Sequence, residues 1–454
     1  MSIPFKLRRH AGPALVLLAA LGSRAEAQVP APTPQPIIAA DEKDFEGLTS
    51  LSLGSGARAL GMGGAFLARA DDATAASWNP AGLSYLRRPE VSLVGARSAF
   101  FKQRRDVSDR LVGYTPDFAA VTYPVEAGYI SGAVQLSFQR VFSFSGTRKI
   151  RDDTAPSSPL TFDTHGSGGF DVVALGSGLK VGRDFRLGFT VNHWFNGYSQ
   201  SRSKLVGRRT QLQEIDYRLS GWNFNLGLIW NPVESLNFGV VGKTAFTGSV
   251  DLARNRTNGD AASPGNEIQG SARDSTLKLH VPGAFGVGLS WRPRSALTLS
   301  ADYTVSLWSK GRIHNFFLLD PQNPDQPPKT YDTLPYPTLD DNDQVDSLQF
   351  RLGGEYVVIS GRLKVPLRAG FFTDRQYFRA AGPLDATGRD LGTGEAPTFY
   401  GLTAGVGVLV GPVLLDAAYV YERGSYQDYD SRTRATTTTQ RLFLSLIYRH
   451  GSNN

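Results

Sequence analysis

From Pro89 onward, apolar residues alternate with polar or small ones at a period of two, and this pattern narrows the possible folds more than any other feature of the chain. In Leu277 to Trp291 the odd positions read Leu, Leu, Val, Gly, Phe, Val, Leu, Trp, against Lys278, His280, Pro282, Ala284, Gly286, Gly288 and Ser290. In Leu297 to Leu307 the odd set is Leu, Leu, Ala, Tyr, Val, Leu, against Thr298, Ser300, Asp302, Thr304 and Ser306. Phe185 to Asn196 and Leu348 to Tyr356 repeat the scheme. A period of two is that of strands with two unlike faces. Both a soluble sandwich and a membrane barrel produce it.

Three features favour the barrel. The alternating runs outlast the five or six residues of an ordinary strand. Trp230, Trp291, Trp308 and Tyr448 stand near run ends, as interfacial aromatic belts require. Tight turns near Gly182, Asn231-Pro232, Pro293-Arg294, Ser360-Gly361 and Gly411-Pro412 alternate with long polar loops at 145–166, 251–273, 314–344 and 379–395. The sequence predicts fourteen strands, near 91–101, 117–124, 129–144, 167–181, 183–201, 213–231, 235–250, 274–292, 296–313, 345–359, 363–378, 396–410, 412–430 and 434–449. The fold expected is therefore all-β: a transmembrane, antiparallel, up-and-down barrel. No run after the leader approaches the roughly 18 apolar residues of a membrane helix, so a chain like this crosses a bilayer as a closed barrel. Gly (49 residues) and Phe, Tyr and Trp (26, 17 and 6) are abundant enough to supply tapered strands and girdles.

Residues 1–27 read as a signal peptide. Lys6, Arg8 and Arg9 form its positive end, Ala14 to Leu21 its apolar core, and Ala25-Glu26-Ala27 its cleavage site. Residues 28–53 form a Pro-rich linker and periplasmic lead-in, residues 54–88 a small-residue packet, and residues 89–454 the barrel. Removing Lys6, Arg8, Arg9, Arg24 and Glu26 leaves 44 basic and 40 acidic residues, too mild and too dispersed a surplus for a nucleic-acid partner. The chain has no cysteine, which excludes disulfides and thiol chemistry.

Enzyme chemistry finds little support. His165, His193, His280 and His314 lie in no triad or metal spacing, and His193 sits among outward-type residues. Asp340, Asp341, Asp343 and Asp346 lack the glycine and terminal glutamate of a calcium loop, and read as a solvated acidic loop. No metal and no cofactor is expected.

Within the packet, Gly61, Gly63 and Gly64 permit close approach, Asp71-Asp72 start a short Ala-rich helix, and Pro80 stops it. By itself this is a tightly packed N-terminal element. Gly56 to Leu83 (GARALGMGGAFLARADDATAASWNPAGL), however, resembles the N-terminal signature of the FadL/TodX superfamily of outer-membrane barrels, and Val281 to Ser309 resembles its mid-barrel hairpin. The resemblance implies fourteen strands and a hatch inside the barrel. It also implies passive uptake of long-chain fatty acids or other hydrophobic small molecules across a Gram-negative outer membrane. Gly61, Gly63, Gly64, Asn79, Pro80 and Ala81 would then gate the passage. The superfamily also contains non-transporting barrels that act as assembly or secretion partners. The partners expected are the hydrophobic cargo, outer-membrane lipids and the barrel-assembly machinery, with the chain acting as a monomer. Phe316, Phe317 and Leu318 either capture a greasy ligand or pack under their loop. Lys278, Arg351 and Arg368 have lumenal parity. They either meet a cargo carboxylate or, as the better reading, balance Asp302, Glu355 and Asp416.

Overall fold

The computed structural model describes residues 54–105, 107–128, 130–152, 160–206, 209–260, 268–274, 277–318, 329–335, 344–361, 363–382, 392–428 and 433–451. The expected leader and linker lie outside them, as do Asp340, Asp341 and Asp343.

Among these residues the chain forms fourteen antiparallel strands that close into one barrel. They are β1 (Glu90–Arg104), β2 (Val107–Ala127), β3 (Ile130–Ser143, then Gly146–Asp152), β4 (Leu160–Val181) and β5 (Phe185–Phe195, then Gly197–Val206). Next come β6 (Arg209–Val233), β7 (Leu236–Lys243, then Phe246–Asp260) and β8 (Ile268–Asp274, Lys278–Val281 and Ala284–Arg294). The ring continues with β9 (Leu297–Ser306, then Arg312–Leu318) and β10 (Lys329–Pro335 and Ser347–Ser360). It ends with β11 (Leu363–Arg375), β12 (Thr398–Val410), β13 (Val413–Gln427) and β14 (Arg434–Arg449). Each strand pairs with the next, and β1 pairs with β14 from Glu90↔Arg449 to Arg104↔Ala435. One end carries the tight turns. Gly182, Gly361 and Gly411 there have φ of 65°, 59° and 57°, values an L side chain resists.

Lipid penalises the unpaired edge of a spanning sheet, and pairing β1 with β14 leaves the sheet without one. Its outer face is a band of exposed apolar side chains, including Leu226, 62% exposed, and Leu444, 58% exposed. On β6 the band runs from Trp222 to Trp230. At about 3.3 Å per residue, and tilted by roughly 40°, it stands ~20 Å tall, near the ~25 Å expected of an outer-membrane belt. Trp230, Trp291 and Tyr448 lie in this face, and Trp230 stacks on Phe185 and Phe238. Trp308 does not: it is buried in a short 3-10 turn (Trp308–Lys310) against Tyr377.

The structure changes three sequence-based expectations. First, the long loops are largely strand. β3 and β4 extend to Asp152 and from Leu160, and β7 reaches Asp260. These extensions are mostly polar in sequence, so they lack a regular apolar alternation, although the ladder continues once the strands are clamped below. Second, β7, β8 and β9 are interrupted at Thr244-Ala245, Pro282-Gly283 and Leu307–Gly311, and the inward face changes parity there. Val241, Ala284 and Asp302 are buried on one side of the breaks, and Phe246, Leu279, Val281 and Ile313 on the other. A one-residue irregularity exchanges the two faces of a strand. Third, the helix expected to start at Asp71-Asp72 begins later, as α2 (Ala75–Trp78). Asp72 Oδ1 instead accepts from the Thr74 amide at 2.9 Å, ahead of the helix.

The residues from Gly54 to Leu86 lie within the ring, as α1 (Ala57–Gly61), α2 and a 3-10 turn (Pro80–Tyr85). Met62, Phe66, Leu67, Trp78 and Leu83 are fully buried and cluster with Ala133 and Val241 of the wall. Each such side chain contributes about 2 kcal/mol of burial.

Candidate functional site

The N-terminal segment meets the wall through backbone groups, and these contacts give the site its geometry. At its first turn, Thr403 Oγ1 donates to the Gly61 carbonyl at 2.9 Å and accepts from the Gly63 amide at 2.9 Å. Gly63 and Gly64 have φ of 68° and 74°, and a Cβ on Gly63 would lie 2.8 Å from the Leu352 carbonyl oxygen. The turn then presents the Phe66 and Leu67 amides to Asp302 Oδ2, at 2.6 and 2.8 Å. Asp302 is thus held by backbone donors of the segment.

Asn79 fastens the other end. Its Nδ2 donates to the carbonyls of Leu67 (2.9 Å), Leu228 on β6 (3.2 Å) and Val240 on β7 (3.4 Å), while its Oδ1 accepts from the Ala81 amide at 3.1 Å. Leu228 and Val240 are ladder partners, so one side chain reads a single rung of the wall. Pro80 opens the 3-10 turn, where its missing N–H costs nothing.

Glycines of the wall make room for this contact. A Cβ on Gly227 would lie 2.0 Å from Asn79 Oδ1, and one on Gly188 2.2 Å from the Pro80 carbonyl carbon. Gly178, Gly239, Gly353 and Gly370 abut the segment backbone in the same way. These residues were not singled out from the sequence. The signal available was glycine on the inward parity of consecutive strands.

Beside α1 lies a buried ionic cluster. Arg58 reaches Asp71 (2.8 Å), Asp72 (3.3 Å) and Glu355 (3.3 Å), and Arg69 reaches Glu355 at 2.8 Å. Arg368 reaches Glu355 (2.8 Å) and Asp416 (2.6 Å). Arg368 therefore balances wall carboxylates, the better of the two readings of its lumenal position. Arg351 contacts Gln349, donates to the Gly64 carbonyl at 3.4 Å and lies over the Trp78 ring at 5.6 Å. Lys278 is not lumenal. The break at Pro282-Gly283 turns it to the exposed face opposite Leu277 and Leu279, where Nζ donates to Ser249 Oγ at 2.8 Å. The side chains of Phe316, Phe317 and Leu318 lie outside the described residues, and their backbone pairs with Lys329 to Tyr331. His193 packs on Trp222 of the outer face at 4.4 Å. Among the described residues no acidic or histidine group is arranged to hold a metal.

Toward the long-hairpin end the interior is apolar on the side of β4 to β9, while the side of β12 to β3 carries the inward ion pairs Arg441–Glu422, Lys102–Asp428 and Arg148–Asp109. Phe170, Trp194, Tyr198, Tyr217, Phe246 and Leu279 belong to one buried cluster joined by aromatic contacts, such as Trp194 to Phe246 at 5.1 Å. A cavity between this cluster and Ala76-Ser77 of α2 leaves about 60 Å³. A drug-sized ligand needs roughly 300 Å³ or more, so the cavity as it stands holds only water.

A second cavity of about 140 Å³ touches Gly54 and Leu60 and opens toward the wall between β2 and β3. There the two strands part. Phe118↔Gln139 ends one paired stretch and Val112↔Thr147 begins the next, while both strands stay paired on their far sides. Pro116 lies in this interval and has no N–H to donate, and Arg140 Nη1 bridges it to Thr115 Oγ1 at 3.5 Å.

The BamG family profile matches residues 47–325. A comparison with curated proteins finds no match. Among solved structures, a Pseudomonas aeruginosa FadL homologue superposes with a TM-score of 0.61 at 15% identity, covering 87% of this chain and 98% of that one. The Ralstonia pickettii toluene transporter TbuX gives 0.58 at 16% identity over 88% and 99% of the two chains. The P. putida toluene transporter TodX gives 0.59 at 12% identity over 89% and 100%. These likenesses establish a shared barrel fold.

Proposed function

We propose, given that the chain belongs to the BamG family and folds as a FadL-like outer-membrane barrel, that it is a passive channel for long-chain fatty acids or similar hydrophobic compounds, with the N-terminal segment as its hatch. The observation that carries this reading is the change of lining along the lumen. Above the segment one side of the lumen is lined by a packed aromatic and aliphatic cluster, whereas the segment itself is tied down by charged and backbone contacts. A porin for polar solutes has a polar, water-filled lining instead. Cargo collected there would meet α2 first and then, through the Gly54 and Leu60 cavity, the parted strands β2 and β3. Moving the segment by a few ångströms would join the two small cavities.

The test is uptake of radiolabelled oleate and of toluene by cells that make the full chain, compared with cells that do not. Faster uptake of both, with no change for a disaccharide, supports the channel. Unchanged uptake with a correctly folded barrel removes it.

A second reading rests on the small size of those same cavities, because a nearly filled lumen also suits a barrel that serves as an assembly or secretion partner. It predicts that removing the protein lowers the amounts of other outer-membrane barrels while hydrocarbon uptake stays constant.

A further inference from the structure

Following the ladder pairs around the wall gives one row of residues at a single level: Tyr400, Arg423, Thr438, Phe101, Arg110, Lys149 and Asp163, on β12, β13, β14, β1, β2, β3 and β4. Directly paired residues of an antiparallel sheet share a face. This face is the outer one, since Tyr400, Arg423, Arg110 and Lys149 are exposed. Toward the short-turn end from the row, exposed Tyr419, Leu442 and Leu444 mark the top of the apolar band, together with Tyr114, which is 71% exposed. Arg97 lies in that band's upper edge, over the Tyr114 ring at 5.9 Å and donating to its hydroxyl at 3.3 Å.

Most of the described acids of this sector do not face the row. Asp109, Glu422 and Asp428 turn inward and are taken by Arg148, by Arg441, and by Lys102 with Arg104. Asp163, at the far end beside Lys149, is the row's one carboxylate. Arg110 lies over the Phe101 ring at 5.7 Å, and neither it, Lys149 nor Arg423 forms an ion pair among the described residues. By contrast, the outward positions of β6 at the same end carry both signs, with Glu214 and Asp216 beside Arg218.

We infer that this wall carries a docking site for a bis-phosphorylated lipid headgroup of the outer leaflet, with its acyl chains on the band formed by Tyr419, Leu442 and Leu444. Strands lie about 4.8 Å apart, so Arg423 and Arg110 are separated by roughly 14 Å, with Lys149 one strand further. That spacing lets two phosphates be held at once, each by a charge-assisted contact at the edge of the apolar band, where the local dielectric is low. The inference rests on reading the long-hairpin end as the outward-facing one.

The test is native mass spectrometry of the full-length, detergent-purified protein with bis-phosphorylated lipid A, the same lipid after phosphatase treatment, and phosphatidylglycerol. The phosphorylated form should be retained about tenfold more than the dephosphorylated one. The Arg110→Gln, Lys149→Gln, Arg423→Gln triple variant should abolish that preference, and Arg218→Gln with Lys278→Gln should preserve it. Equal retention of the two lipid A forms, equal retention of phosphatidylglycerol, or loss of the preference in both variants would overturn the site. The heat-dependent gel shift of the closed barrel shows whether each variant is folded. Uptake of oleate and toluene is measured on the same preparations, so a barrel that selects the lipid but passes no cargo fails the channel reading alone.

Discussion

The side-chain amide of Asn79 donates to the Leu67 carbonyl at 2.9 Å, joining the second half of the N-terminal segment to its middle. The same nitrogen reaches the rung formed by Leu228 and Val240, so one group holds the segment both to itself and to the wall. Asn79→Ala leaves these buried carbonyls without that donor and should cost about 1–3 kcal/mol. A lower midpoint for thermal loss of the folded gel band checks this. An unshifted midpoint would show that water replaces the amide at no cost.

Gly227→Ala places a methyl group 2.0 Å from Asn79 Oδ1, so the segment must move. Gly242→Ala, on the neighbouring strand, meets nothing within 4 Å and is the matched control. The first substitution should expose the segment to added protease and admit bulky antibiotics, and the second should do neither. Equal protection in both would mean that the wall flexes instead.

Gly61 and Gly405 approach so closely that a Cβ built on either lies 3.0 Å from the other's Cα. The two Cα atoms are then at most about 4.5 Å apart, the short limit of disulfide geometry, so Gly61→Cys with Gly405→Cys should close in this cysteine-free chain under an added oxidant and with a small outward shift of the turn. Hydrocarbon uptake should stop in the oxidised form and return with reductant. Uptake that ignores the redox state would separate transport from movement of this turn.

Arg368 is fully engaged by Glu355 and Asp416, at 2.8 and 2.6 Å. Arg368→Met leaves both carboxylates short of a partner in a buried place, and breaking such a pair costs about 3–5 kcal/mol. Because the arginine serves the wall, oleate and toluene uptake should fall together. A selective loss of oleate would assign Arg368 to the cargo carboxylate instead.

The strand count and the closed ring could be read from the sequence because lipid penalises every polar group on the outer face, which makes the alternation regular. Above the band that pressure ends. The extensions of β3, β4 and β7 are strands whose sequences read as polar loops. Face parity was legible only between irregularities, and Lys278 lies on the wrong side of Pro282-Gly283 for its parity to carry over from Trp291. The ionic cluster joins Arg58 to Glu355 across 297 positions, a pairing that no local pattern encodes. The wall glycines were visible as small inward residues. Their purpose depends on register, which places Gly188 and Gly227 together beneath Pro80.

The seam between β1 and β14 imposes an order on how this molecule is made. The strand that closes the ring is the last in the chain, and Ser445 on it accepts a hydrogen bond from the Ala57 amide at 2.7 Å. Gly54 and the residues that follow it therefore wait for nearly the whole polypeptide before their enclosure is complete. Once the seam zips, the segment is walled in on every side, like a ship built inside its bottle. Its arrangement has to be settled while the sheet is still open, so the moment of closure is also the moment when the lumen's contents are fixed.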